Sequence, residues 1–523
     1  MLRDKILGFQ FDLKRAMWRE AYFDRMAEIL AGWGFNQVLY EFEDKLRFRK
    51  HPCLAHPDAW SPEATAALVR RLEGRGLEVV PLFQSLGHAE SVLRLPEYAH
   101  LRQSPEHLNL YDPVSEAARD FLKEIFAETI EVFQPRRFFH VGGDETRNLG
   151  AAGRAAGREP GGLYLGHLRP LWEYLLGRGL RPVVWADMLL TYLDVLEQTP
   201  AGVVLMDWDY STGGERWPRL RRWGVGELDW EAYRSREDPE FKSRFEKYFV
   251  DERTPADGLF RGFGYVDALV DRGFNVIAAS SSRCWGDSAG LPFNQLHLAN
   301  VFYSARKGRA VGLGTLVTSW AARRHHPELG LPAAFAAAYA GRREGPFDLA
   351  AFSREFTAEF YGAAAPEFGR AMELAGVRPS LSESRHLELA AGLLAEGRDP
   401  LEVFFPGEKH SELAGRAATA RTSLREAREI ISGLRDRARR NADNLDFWLE
   451  GIDLVAFYAD FAAAVLSGRL AAESGRLRED LNRLRLVTRD LFGRTYEAAG
   501  LEAELDLRYG VHEALLGKLP APR

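Results

Sequence analysis

The chain has little sulfur, no excess of positive charge and no long apolar run. Cys53 and Cys284 are its only cysteines in 523 residues, and they stand far apart. That spacing excludes a disulfide framework and makes a reducing, cytoplasmic compartment the expectation. No run reaches the roughly 18 apolar residues of a membrane span, and Met1–Asp12 lacks the apolar core of a signal peptide. The net charge of −6 removes the electrostatic footprint of a nucleic-acid binder. No His-x-x-x-His or Cys-x-x-Cys spacing occurs, and the adjacent His325 and His326 are poorly placed to converge on one ion. Neither a metal nor a cofactor is expected, and no phosphate-binding glycine turn follows the first apolar run.

The chain does have a repeating pattern. Eight short apolar segments read as strands: 6–12, 37–43, 77–83, 137–141, 181–186, 202–208, 274–280 and 312–318. Amphipathic stretches at 20–32, 62–74, 115–133, 163–177, 262–272 and 293–307 separate them. Eight βα repeats predict a TIM (β/α)8 barrel over residues 1–345, with a charged, Trp-rich insertion at about 211–260. That insertion reads either as a wall or lid of a site, or as a solvated excursion. From 346 to 523 helical spacing takes over: Leu424, Ala427, Ile431 and Leu434 share one helix face. This predicts an α-helical C-terminal domain, packed on the barrel or on a second copy in a homodimer.

Polar and aromatic residues gather where the strands end, as they do in a catalytic barrel. The densest cluster is Phe138-Phe-His140-Val-Gly142-Gly143-Asp144-Glu145. Neighbouring side chains on a strand face opposite ways, but two glycines open backbone conformations that let Asp144 and Glu145 turn into one cleft. Two close carboxyl groups tend to titrate apart, one charged and one holding its proton. Trp185 and Asp187 fall at the fifth strand end, and Trp208, Asp209 and Tyr210 at the sixth. A regular strand cannot aim Asp207 to Tyr210 all inward, so a strand end or bulge near 208 is required.

The segment His140-Val-Gly-Gly-Asp144-Glu145 resembles the His-x-Gly-Gly-Asp-Glu motif of glycoside hydrolase family 20, the β-N-acetylhexosaminidases, and the chain is most similar to the hexosaminidase D branch. The likeness extends to Asp12-Leu-Lys, Tyr40-Glu-Phe-Glu-Asp44, Pro81-Leu-Phe-Gln-Ser-Leu-Gly-His88, Val184-Trp-Ala-Asp-Met-Leu189, Trp208-Asp-Tyr210 and Thr318-Ser-Trp320. The resemblance implies exo-acting hydrolysis of a terminal N-acetylhexosamine with the substrate's own acetamido oxygen as nucleophile. Glu145 would be the general acid and base, with a raised pKa, and Asp144 would orient the acetamido N–H. Tyr210, Trp185, Trp320 and Trp208 would enclose the acetamido group. His88, His140, Asp187 and Asp209 complete the expected substrate-binding set, with His140 hydrogen-bonded to a carboxylate. The chain departs from the wider family at Leu7-Gly8-Phe9, where many members carry a hydroxyl-reading Arg, and at Ala321-Ala322, where many carry an acid. Its partner would be a carbohydrate. A catalytically silent sugar-binding barrel and a helical scaffold built on 346–523 are the competing readings.

Overall fold

A computed structural model describes residues 5–146, 149 and 157–519. Eight parallel strands close a barrel: β1 (Ile6–Asp12), β2 (Gln37–Glu41), β3 (Glu78–Leu82), β4 (Phe138–His140), β5 (Arg181–Trp185), β6 (Val204–Trp208), β7 (Asn275–Arg283) and β8 (Gly314–Ser319). Each pairs with its sequence neighbours, and β1 closes the ring by pairing Gly8 with Gln37 of β2 and Ile6 with Gly314 of β8. All eight expected strands are present, with ends shifted by a few residues at most. β2 stops at Glu41, and Glu43 turns into the left-handed region at φ 50°.

Strand alternation divides the apolar residues into two layers. Leu39, Val80, Leu82, Phe138, Val183, Met206, Ile277 and Leu316 fill the barrel interior. Their neighbours Val38, Val79, Phe139, Val184, Leu205, Val276 and Val317 face the surrounding helices. Both faces are buried, so the strands read as continuous apolar runs rather than alternating ones. Each such side chain contributes about 1.5–3 kcal/mol by leaving water. The helices begin where small polar residues satisfy free N–H groups. Ser61 Oγ accepts from Ala64 N ahead of Pro62–Gly74, and Ser115 Oγ from Ala118 N ahead of Glu116–Phe133.

The 211–260 segment is folded. Residues 216–217 pair with 260–261 and 220–222 with 226–228. Helix Pro239–Phe249, capped by Asp238, packs Phe241, Phe245 and Phe249 against Tyr265.

Beyond β8 every described regular element is helical, ending in His410–Arg437, Ala442–Leu466, Leu470–Phe492 and Ala498–Gly517. Leu424, Ala427, Ile431 and Leu434 are all buried. These helices seat on the loops that follow β1, β2 and β8. Arg508 donates to Arg324 O at 3.0 Å and to Glu450 at 2.7 Å, all three side chains being buried. His326 stacks on Phe447 and bonds Thr495, while Asp58 accepts from the N–H groups of Ala499 and Gly500. Because those loops rise from the C-terminal ends of the strands, the helical region borders the barrel mouth. No described helix is long and apolar enough to cross a membrane.

Candidate active site

β4 ends at His140, and the chain then makes three left-handed turns. Gly142 has φ 69°, Gly143 φ 90° and Glu145 φ 49°. The two glycines are required by space as well as by φ. A Cβ on Gly142 would lie 1.9 Å from Gln84 Oε1, and one on Gly143 2.9 Å from Tyr164 Oη. The reversal turns both carboxylates into one cleft, which measures 590 Å³ and lies over the C-terminal ends of the strands. Asp144 is buried and Glu145 open to the cleft.

His88, from the loop after β3, sits between them. Its Nε2 lies 3.4 Å from Asp144 Oδ2 and 3.5 Å from Glu145 Oε2. Burial disfavours the imidazolium, but the Asp144 charge and the bonds to both carboxylates outweigh it and raise the His88 pKa well above its usual value. Asp144 Oδ1 is buried and has no donor among the described residues. A buried carboxylate oxygen without a donor is costly, so the pair is built to receive an N–H or O–H from outside.

The aromatic wall lies on the same cleft. Trp185, Trp208, Tyr210 and Trp320 all line it. Trp320 Nε1 donates to Tyr210 Oη at 3.2 Å, so the phenol accepts that bond and keeps its own proton as a donor. Burial raises the Tyr210 pKa, so that proton is retained. The Trp185 ring lies 5.7 Å from Trp320, and Trp208 5.0 Å from Tyr210. β6 does stop at Trp208, which is how Trp208 and Tyr210 both reach the cleft.

Three expected binding residues are placed elsewhere. Asp187 is buried beneath the cleft, where its Oδ2 accepts the N–H of Glu145 at 3.0 Å. The strand ends two residues before it, and Asp187 opens the short helix Asp187–Thr191. Burial, reinforced by the Asp144 charge, raises its pKa to about 7. Asp209 is a turn residue: its carboxylate accepts from the N–H groups of Ser211 and Thr212 and from Thr212 Oγ1, a local geometry an Asp adopts readily. His140 bonds no carboxylate among the described residues. Its Nδ1 accepts from Gly142 N at 3.0 Å, its ring packs 4.6 Å from Trp185, and burial lowers its pKa to about 3. A neutral His140 therefore supports the turn from below.

The cleft also draws on residues at the second and third strand ends and on four that the sequence did not flag. Glu41 lies at its base and accepts from Gln10 at 2.6 Å and Gln84 at 3.2 Å, and burial together with Asp12 raises its pKa. Glu41 and Gln84 stand at expected strand ends, but Arg15, Glu90, Arg221 and Cys284 had no local signal. Arg221 comes from the 211–260 insertion, which is thus a cleft wall, braced by Trp223 against Trp208.

The catalytic-domain model described as "Glycosyl hydrolase family 20, catalytic domain" matches residues 8–221, a span that runs from within β1 through β6 and includes both carboxylates. Residues 8–221 are thus similar to the catalytic domain of glycosyl hydrolase family 20. Among named relatives, Hexosaminidase D of Bos taurus is 29% identical over 187 residues, 34% of this chain and 54% of the relative. Hexosaminidase D of Homo sapiens is 28% identical over 188 residues, 34% of this chain and 38% of the relative. The aligned region thus spans about half or less of either relative. A chitobiase structure from Flavobacterium johnsoniae aligns at 15% identity over 97% of this chain and 78% of its own, with a TM-score of 0.49. The family 20 span covers the acid pair and Tyr210 but ends before Trp320, which the barrel's closure brings to the same cleft.

Proposed function

We propose that the chain is an exo-acting β-N-acetylhexosaminidase working by a retaining, substrate-assisted mechanism in the cytoplasm. The observation that carries this reading is the buried Asp144 Oδ1, which lacks a donor among the described residues and lies beside an open Glu145 and a hydroxyl-bearing aromatic wall. An acetamido group matches these features with an N–H for Asp144, a carbonyl oxygen for the Tyr210 hydroxyl and a methyl for Trp185 and Trp320.

In the first step the acetamido oxygen attacks the anomeric carbon while the bond to the leaving oxygen breaks. Glu145 gives its proton to that oxygen. Asp144, ionised, stabilises the positive oxazolinium ion that results, in a site where low polarity strengthens the interaction. In the second step the Glu145 carboxylate takes a proton from water, whose oxygen attacks the same carbon and restores the acetamide. Two displacements retain the β configuration. His88 holds the two carboxylates apart from each other's charge. The 346–523 helices are proposed as a homodimer contact, to be read from the sedimentation mass.

Hydrolysis of aryl β-N-acetylglucosaminide and β-N-acetylgalactosaminide by the pure protein tests the reading. Turnover of either, strongly inhibited by a thiazoline analogue of the oxazolinium ion, is expected. No turnover of both, with sugar binding retained, would instead leave a silent binding barrel.

A further inference from the structure

Beside the catalytic cleft lies a second cavity of 540 Å³, and the two share Lys14 and Arg15 as a common wall. Its floor comes from the loops after β1, β2, β3 and β8. Its roof comes from helices Ser384–Ala395 and Ala498–Gly517, which contribute Leu394, Leu507 and Val511. The wall is positive: Lys14, Arg15, Lys45, Arg94 and Arg324 face Asp44 and Asp506.

The acids that hold these cations are mostly outside the wall. Lys14 bonds Glu90 at 3.0 Å and lies 3.7 Å from Glu43. Arg15 bonds Glu388 at 3.2 Å, and Arg324 bonds Glu504 and Glu388. Asp506 pairs with Arg485 at 2.7 Å. Asp44 alone is shared within the wall, between Lys45 and Arg94. Arg324 is buried, and its Nε has no partner among the described residues.

The cavity also adjoins the part of the cleft that holds Glu145. The scissile oxygen must sit at Glu145, His88 Nε2 is 3.5 Å from that carboxylate, and Lys14 Nζ donates to His88 O at 3.2 Å. Lys14 and Arg15 line the same cleft as Glu145 and also wall the second cavity, so they are within reach of a group attached at Glu145 that extends away from the Tyr210–Trp320 pocket. We propose that this cavity, closed by the C-terminal helices, is a leaving-group subsite for an anionic sugar. The apolar side chains of Leu394, Leu507 and Val511 suit the face of a pyranose ring, and the cations suit a carboxylate or sulfate on it. The inference rests on the hexosaminidase reading and narrows it to substrates whose penultimate residue is charged.

The test compares β-linked N-acetylhexosaminyl disaccharides ending in glucose, glucuronate or glucose 6-sulfate. At low salt, kcat/KM for at least one anionic disaccharide exceeds that for the neutral one by about tenfold, the scale of one charge-assisted hydrogen bond. The two anionic arms show which charge is preferred, and the advantage shrinks as salt rises. Arg94→Gln and Gly510→Phe both reduce the ratio. Gly510 lines the cavity, and no atom lies within 4 Å of a Cβ built on it, so a side chain can start there without a close contact. Equal rates for charged and neutral leaving groups would overturn the subsite while leaving the hexosaminidase reading intact. If no β-linked hexosamine is cleaved, that reading fails, and calorimetry with free glucuronate and glucose 6-sulfate decides the subsite. Binding lost in both variants supports it, and no binding to the wild type overturns it.

Discussion

Asp187 Oδ2 accepts the backbone N–H of Glu145 at 3.0 Å, and Glu145 meets it from a left-handed backbone at φ 49°. A non-glycine residue in that region costs free energy, which the surrounding bonds must offset. Here the offset comes from a carboxylate one strand away, so the proposed proton donor is aimed by its main chain.

Asp187→Ala removes that acceptor. The expected result is a kcat lowered by about tenfold, the loss of roughly one charge-assisted bond, with KM little changed. An unchanged kcat in a folded variant would remove Asp187 from the positioning of Glu145. Asp187 also gives a pH signature. Its folded pKa of about 7 stands above the usual 3.8, so its contribution to stability is present below about 3.8 and is lost as pH rises through about 7. Asp187→Asn is neutral throughout. The melting temperature of the wild type should therefore fall relative to this variant between pH 4 and pH 7.

Glu145→Gln keeps the shape and removes the proton. Hydrolysis of aryl hexosaminides is expected to fall by at least about 100-fold, the usual span for a general acid. Asp144→Asn should lower kcat more than it weakens binding of an unreactive sugar, because the charge matters most when the oxazolinium ion forms. Full activity in either variant would refute the assigned roles.

Tyr210→Phe removes the hydroxyl while keeping the ring against Trp208. A drop in kcat of about 100-fold or more, typical for one donor to a developing charge, is expected, together with weaker thiazoline binding. A variant that loses neither would place Tyr210 in the wall only.

His512 sits in the helical core, stacked on Tyr458, with neither ring nitrogen bonded among the described residues. Burial lowers its pKa from 6.5 to about 3. The unfolded chain thus takes up a proton that the folded one refuses, so its stability is full above 6.5 and falls as pH drops toward 3. His512→Phe removes this loss. The stability of the wild type relative to the variant should fall by about 2 kcal/mol between pH 7 and pH 5, at 1.36 kcal/mol per unit. Chemical denaturation at the two pH values measures it, and a difference that does not move with pH would contradict the assignment.

The sequence by itself determined the eight strands, the order of the barrel and the place of the Asp144–Glu145 pair. These follow from short-range rules: apolar runs bounded by turn residues form strands, and two glycines allow a reversal at one strand end. The same rules required a strand end near Trp208, and β6 stops there. Only the tertiary structure decided which polar residues face the cleft. Asp187, Asp209 and His140 share strand ends with true lining residues, yet a backbone N–H, a local turn and a neighbouring glycine claim their side chains. Nothing in the chain order joins Lys14 to Glu90, Trp320 to Tyr210 or Arg324 to Glu504. Those pairs exist because closing the barrel and seating the C-terminal helices bring together residues that are 76, 110 and 180 positions apart. Sequence periodicity records which face of an element is apolar, but not which partner that face or its polar neighbours will meet.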